Sequence, residues 1–367
     1  MRIGMLAPIS HRFPPSGYGP WERVCHDLTE GLVELGHEVV VFAPEGSESS
    51  AVLSPTVPAS LDEVAASGTE PDARLWETLH IGRAMSRAVE RELDILHSHL
   101  HVHALGYGPL LPMSLLSTLH GAAWNHAHLP ILNTYRHQPF VSLSKAERRF
   151  APDLNYVATV GNGIRIGDYA PRFETGGPLV FVGRLAPEKA PDLAIEAARR
   201  AGVPLILAGD VETRYRDFFE ARIQPALGQD VTYVGALTRL EVADLLAEAS
   251  ALLMPLRWDE PFGLVVVESL ASGTPVVAWR RGAMPELIKD GATGFLVDTV
   301  EEAAAAIHRI GELDRGRCRN AAEERFDYVS MARGYAAAYE AAMDQSKAAS
   351  TSESGTVPTP ILVSDSP

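Results

Sequence analysis

The stretch SALLMPLRWDEPFGLVVVESLASGTPVVAW, residues 250–279, decides the fold. Two short apolar runs, SALLMP and TPVVAW, have the length of buried strands, and the apolar segment that opens after Pro261, Phe262 and Gly263 has the length of a helix. Strand, helix and strand in this order make a crossover unit. Parallel strands joined by helices form a sheet covered on both faces.

Outward from that unit the alternation continues. LVFVG (179–183), VPLILAG (203–209) and DVTYVG (230–235) are further strand candidates, with helical stretches at Asp192–Ala201 and Leu240–Ala249. The first half follows the same plan: RIGMLA, EVVVFA, DILHSH, LLSTLH, PFVSL and NYVATV read as strands, with helices at Trp21–Leu35, ended by Gly36, and at Arg74–Leu93. Between the halves, GNGIRIGDYAPRFETGGP (161–178) loses periodicity and gathers Gly, Pro and charge, as an interdomain connection does. The expected class is α/β, with two doubly wound, Rossmann-like domains facing a cleft: 1–165, a linker over 166–178, and 179–319. Residues 320–343, rich in Ala with Phe326, Tyr328, Met331, Tyr335 and Tyr339 interleaved, are expected as a helix docked by its aromatics toward the first domain. The Ser, Thr and Pro-rich residues 344–367 are expected as a disordered tail.

A chain of 367 residues suits two domains at roughly 150 residues each. With 46% hydrophobic and 22% charged residues it is neither a disordered chain nor a coiled coil. Its formal charge of -15 repels a phosphate backbone, which argues against nucleic acid as a partner. Cys25 and Cys318 are too few and too far apart for a disulfide framework. MRIGMLAPIS lacks a signal cleavage pattern and no segment reaches the ~18 apolar residues of a membrane span. These features point to a cytoplasmic protein.

Ligands of open α/β sheets bind beyond the carboxyl ends of the strands. Four places there could carry chemistry. In PISHRFPPSGYGPWE, Gly17 and Gly19 precede a helix start, where backbone amides can approach an anion, although a tight turn would also use them. In VFVGRLAPEK, Arg184 and Lys189 follow a strand and could converge on a phosphate pair. In DEPFGLVVVESLASG, Glu260 and Glu268 are separated by seven residues, and Glu268 lies inside an apolar stretch where a carboxylate needs donors such as ribose hydroxyls. The fourth is histidine placement, with 12 of 13 before residue 138. His97, His99, His101 and His103 alternate and on a strand would share one face, but no Cys and few acids accompany them, so no metal is expected. His120 ends a strand just before Gly121.

Taken together these segments, with GAMPELIKDGATGFLV (282–297), resemble the retaining glycosyltransferases of the GT-B fold, family four, over about residues 1–343. The resemblance implies that a nucleotide sugar binds mainly to the second domain and a hydroxyl acceptor mainly to the first. By position, Arg184 and Lys189 would hold the diphosphate, Glu268 the ribose and Glu260 the donor sugar. Amides at Phe262, Gly263 and Leu264 would line the sugar and phosphate, and the segment at Leu237 would lie against the base. His120 matches a histidine close to the transferred sugar, and Gly19 would let the first loop close over the phosphates. The implied activity is transfer of a hexosyl unit from a UDP- or GDP-sugar, with retained configuration, no metal and no cofactor besides the co-substrate. Developing charge on the leaving diphosphate would be met by fixed cations and helix amides.

Two positions depart from the family pattern: Pro20 follows Gly19 and Ala190 follows Lys189, each where glycine is usual. The competing reading is a scaffold subunit that binds nucleotide sugar without catalysis, since every feature named is a binding feature. Trp124 and Tyr135, in HGAAWNHAHLPILNTY, are candidates for stacking on an acceptor. Arg83, Arg87 and Arg91 recur at four-residue spacing, the pattern of a membrane-surface helix, but Glu90 and Glu92 beside them disfavour stable attachment.

Overall fold

The computed structural model describes residues 1–353 apart from 16, 18, 122–124 and 175, and for 349–353 the backbone alone. Seven strands, β1 (Arg2–Leu6), β2 (Glu38–Pro44), β3 (Val52–Val57), β4 (Ile95–Ser98), β5 (Ser114–Thr118), β6 (Phe140–Ser142) and β7 (Tyr156–Thr159), form one sheet in the order 3-2-1-4-5-6-7. Six more, β8 (Leu179–Val182), β9 (Leu205–Ala208), β10 (Val231–Tyr233), β11 (Ala251–Met254), β12 (Val276–Trp279) and β13 (Gly294–Val297), form a second in the order 10-9-8-11-12-13. All pairings are parallel. The central strands are buried along almost their whole length, which is why they read as apolar runs without alternation.

Two strands escape the sequence reading, and both lie at sheet edges. β3 carries Pro55, which an edge strand tolerates because its outer side has no ladder to break. β13 is four residues long and starts at Gly294.

The helix Pro20–Glu34 begins with Pro20, whose missing N–H is not needed in a first turn. It packs against a long C-terminal helix, and Gly31 makes the approach: a Cβ there would stand 2.8 Å from that of Ala332. The helix expected over 320–343 is in fact the end of one helix, Arg315–Arg325, and the body of another, Tyr328–Glu353. They part at Phe326 and Asp327, where the chain returns to the first sheet. There Ile164 bonds to both sides of the break, its N–H to the Phe326 carbonyl at 2.9 Å and its carbonyl to the Tyr328 N–H at 3.1 Å. The second helix runs ten residues past the expected end, through Glu353, and 354–367 fall outside the described residues.

Met331, Tyr335 and Tyr339 of that last helix join the core of the first sheet with Ile3, Met5, Val24 and Leu28. The helix at Ala73–Glu90 is capped by Asp72, which accepts from the amides of Arg74 and Leu75. Two of its arginines bond within the fold: Arg83 donates to the Thr56 carbonyl at 3.0 Å, and Arg87 to Ser54 and the Pro55 carbonyl. No helix of the described residues is long and apolar enough to cross a membrane.

Candidate active site

Strand order reverses beside β1 in one sheet and beside β8 in the other, between β1 and β4 and between β8 and β11. Crevices at the carboxyl ends of such strands are where doubly wound sheets take ligands. Arg184 follows β8, the loop Pro255–Gly263 follows β11, the loop carrying Gly17 and Gly19 follows β1, and His99 follows β4.

At β11 three side chains meet. The Lys189 ammonium pairs with the Glu260 carboxylate and lies 4.9 Å from the centre of the Trp258 ring, whose Nε1–H donates to Glu260 at 3.1 Å. Lys189 and Glu260, 71 residues apart, are therefore one unit. Arg184 is held by two carboxylates, Glu212 at 2.7 Å and Glu188 at 3.2 Å. Ala190 takes φ +55, the left-handed region natural to glycine, to start the helix Pro191–Ala201.

Gly263 opens the helix Leu264–Ala271 with φ +107, and no side chain caps it. Its first amides keep the positive end of the helix dipole. The Phe262 ring is buried against Gly161 and packs at right angles to Phe326. Leu264 joins the cores of both domains, and Leu237 is half-buried just before Thr238, which caps the helix Arg239–Glu248. Glu268 accepts from the Tyr169 hydroxyl at 2.8 Å. Burial pushes its carboxyl up, and the Tyr169 hydroxyl, Arg239 and Arg23 oppose that.

On the first domain, Gly17 is exposed with open space around it, whereas Gly19 is buried and a Cβ there would come within 2.7 Å of Pro15. Gly19 thus serves close packing within the loop. The expected histidine face does not form: β4 ends at Ser98, so of the four only His97 lies on the strand. His97 bonds Thr118 and Tyr339, His101 the Leu119 carbonyl, and His103 Glu77. His120, with φ +47, pairs its Nε2 with Nδ1 of His99 at 2.8 Å. Burial pulls both imidazoles well below their usual pKa, so both are neutral near pH 7. Tyr135 packs in a satellite cluster with Leu105, Leu132 and Phe140, beside Gly106, and Trp124 lies outside the described residues.

Family models match both halves of the chain: residues 21–165 match Glycosyltransferase Family 4, and residues 171–325 match Glycosyl transferases group 1. The chain is a GT-B glycosyltransferase of the family-four type. Glycogen synthase of Mycobacterium tuberculosis is 29% identical over 399 residues, covering 93% of this chain and 95% of that protein. D-inositol 3-phosphate glycosyltransferase of Mycobacteroides abscessus is 37% identical over a shorter stretch, 37% of this chain and 31% of that one. Among solved structures, a glycosyltransferase involved in avilamycin A biosynthesis superposes with a TM-score of 0.68 at 24% identity, covering 94% and 98% of the two chains. Anabaena HepE in complex with UDP-glucose gives 0.67 at 19% identity, covering 95% and 100%.

Around the transferase's predicted residues stand several that the sequence reading missed. Trp258 was hidden in the loop before Glu260, and Tyr169 in the aperiodic connector. Trp21 is 41% exposed at the start of its helix, with its ring 4.4 Å from His101 and 6.3 Å from His120. The signal available for Trp21 was its place two residues after Gly19. Glu147 lies fully buried behind the His120 loop and accepts from the Gly121 and Leu143 amides.

The buried imidazoles make the transferase sensitive to acid. His80, His97, His99 and His120 all have folded pKa values below the unfolded one, burial being the main cause. Their stabilisation is complete above the unfolded value and is lost as pH falls below it. That loss accumulates as pH falls from about 7.5 to about 5.5. Glu147 acts in the opposite direction: burial raises its carboxyl to about 7, so it stabilises the folded state at low pH and ceases to do so as pH rises through 7. It gives back about 2 kcal/mol over the same window. Urea unfolding should show lower stability at pH 5.5 than at pH 7.5, and higher stability at pH 5.5 would mean that these imidazoles are not buried neutral.

Proposed function

We propose that the protein transfers a hexosyl unit from a nucleotide-diphosphate sugar, UDP- or GDP-linked, to a hydroxyl acceptor, with retained configuration, without a metal and in the cytoplasm. The observation that carries this reading is the unit of Lys189, Glu260 and Trp258 at the carboxyl end of β11, beside the uncapped helix at Gly263. As the anomeric bond breaks, charge grows on the leaving diphosphate. Lys189, Arg184 and the first-turn amides of the helix Leu264–Ala271 meet that charge where it develops. The carboxylates now holding Arg184 and Lys189 keep both cations in place until phosphate oxygens replace them. Glu260, freed from Lys189, then accepts from hydroxyls of the donor sugar, and Glu268 from the ribose. A neutral His120 hydrogen-bonds the transferred sugar without competing with the cations for the diphosphate. The exposed Trp21 face offers an acceptor a surface to stack on.

Front-face substitution through an oxocarbenium-like state keeps the anomeric configuration. The test is turnover of UDP- and GDP-sugars against an acceptor panel, with the product anomer read by NMR. An inverted product would refute retention. His120→Ala should lower transfer about a hundredfold while nucleotide affinity stays within about twofold; an unchanged rate would return His120 to packing. Glu268→Ala should weaken nucleoside and nucleotide sugar alike by about tenfold, measured by calorimetry, since a charged hydrogen bond contributes about 1.5 kcal/mol or more. Weakening of the sugar conjugate alone would place Glu268 elsewhere in the site.

A further inference from the structure

The turn Leu143–Glu147 touches both halves of the site. On one side lies the donor domain. Glu286 accepts from the amides of Lys145 and Ala146 at 2.9 and 2.8 Å, and the Ser144 hydroxyl donates to the Pro261 carbonyl at 2.8 Å. Pro261 is the residue after Glu260, and the Glu260 carbonyl accepts from the Ala283 amide at 2.9 Å, which ties in the short helix Met284–Leu287 that carries Glu286. On the other side lies the His120 loop. Glu147 accepts from the Gly121 amide at 2.6 Å with one oxygen and from the Leu143 amide at 2.7 Å with the other. The Glu147 amide in turn donates to the Ser144 hydroxyl at 3.2 Å. A continuous chain of hydrogen bonds therefore runs from the residue after Glu260 to the residue after His120.

His120 and Gly121 both have positive φ, +47 and +88. A left-handed backbone at a side chain as bulky as histidine persists only where its surroundings hold it. Burying a carboxylate is costly unless donors converge on it, and an apolar side chain would fill the same space without that cost. A carboxylate is used here because it grips two amides at once.

We propose that Glu147 is a positioning residue that holds the His120 loop in register with the Glu260 loop, so that docking of the two domains through Ser144 and Glu286 assembles the transfer site. The inference rests on the reading of His120 given under the proposed function. It assigns Glu147 no contact with substrate. Domain docking and His120 geometry become one variable, and a change at the donor-domain end of the chain reaches His120.

Two measurements on the full chain test this. The first is hydrogen exchange of the peptide containing His120 and Gly121, compared with the peptide of β9, in Glu147→Gln and Ser144→Ala. The Ser144 hydroxyl bonds the Pro261 carbonyl and the Glu147 amide, and both variants should speed exchange at the first peptide by roughly tenfold and leave β9 unchanged. Unchanged exchange at His120–Gly121 in Ser144→Ala overturns the coupling. The second is a double-mutant cycle. Glu147→Gln should lower kcat by about tenfold or more with nucleotide affinity unaltered, and should lower it no further in a His120→Ala background. Losses that multiply would make Glu147 a structural residue only. If His120→Ala alone kept full transfer, both the His120 reading and this role for Glu147 would fall, whereas an inverted product anomer would refute retention and leave this role standing.

Discussion

Lys189→Ala is expected to reduce kcat/KM for the nucleotide sugar by about a thousandfold, close to 4 kcal/mol of transition-state stabilisation. Two losses combine. The cation proposed for the leaving diphosphate disappears, and among the described residues the Glu260 carboxylate is left with the Trp258 N–H in a largely buried setting. Lys189→Arg keeps the charge but replaces a compact ammonium by a planar fork, so it should recover only part of the rate. Steady-state assays with saturating acceptor measure both. A kcat/KM within a few-fold of the wild-type value for Lys189→Ala would remove Lys189 from the diphosphate site.

Tyr335→Ala should cost about 4 kcal/mol of stability. The side chain is fully buried, its hydroxyl bonds Thr118 at 3.0 Å, and it packs within the core of the first sheet although it belongs to the last helix. Truncation opens a cavity at the seam between that helix and the domain and leaves the Thr118 hydroxyl one partner short. Urea unfolding gives the size of the loss. Limited proteolysis should show the helix Tyr328–Glu353 released first. A loss under about 1 kcal/mol would mean that the helix is held by other contacts.

How much of this was legible in the sequence depends on what each residue's neighbours are. Central strands and long amphipathic helices announce themselves because burial on both faces, or on one stripe, forces an apolar pattern within a few residues. β3 did not, because half its residues lie outside the core and Pro55 interrupts it, and β13, buried though it is, is only four residues long and opens on a glycine. The position of Lys189 was readable as a strand-end cation, but its pairing with Glu260 joins residues far apart in sequence and depends on how β8 and β11 lie side by side. Glu147 and Tyr169 carried no local mark. Glu147 matters through the Gly121 and Leu143 amides that the ends of β5 and β6 bring to it, and Tyr169 through the Glu268 carboxylate of the second domain. The alternating histidines misled for the converse reason: period two implies a shared face only while the chain stays extended, and it turns after Ser98.

The crossing at Ile164 and Tyr328 bears on how the chain is made. A ribosome delivers residues in order, and the first domain's core lacks Tyr335, Tyr339 and Ala342 until they emerge. Residues 179–325 form their sheet and most of their helices from contiguous sequence, so this second domain can close while the first is still waiting. Nascent first-domain strands therefore spend most of synthesis with an apolar face open to solvent, a window in which chaperone demand is greatest. Fragments ending before the last helix should be insoluble when expressed alone, and supplying residues 326–348 in trans should rescue them.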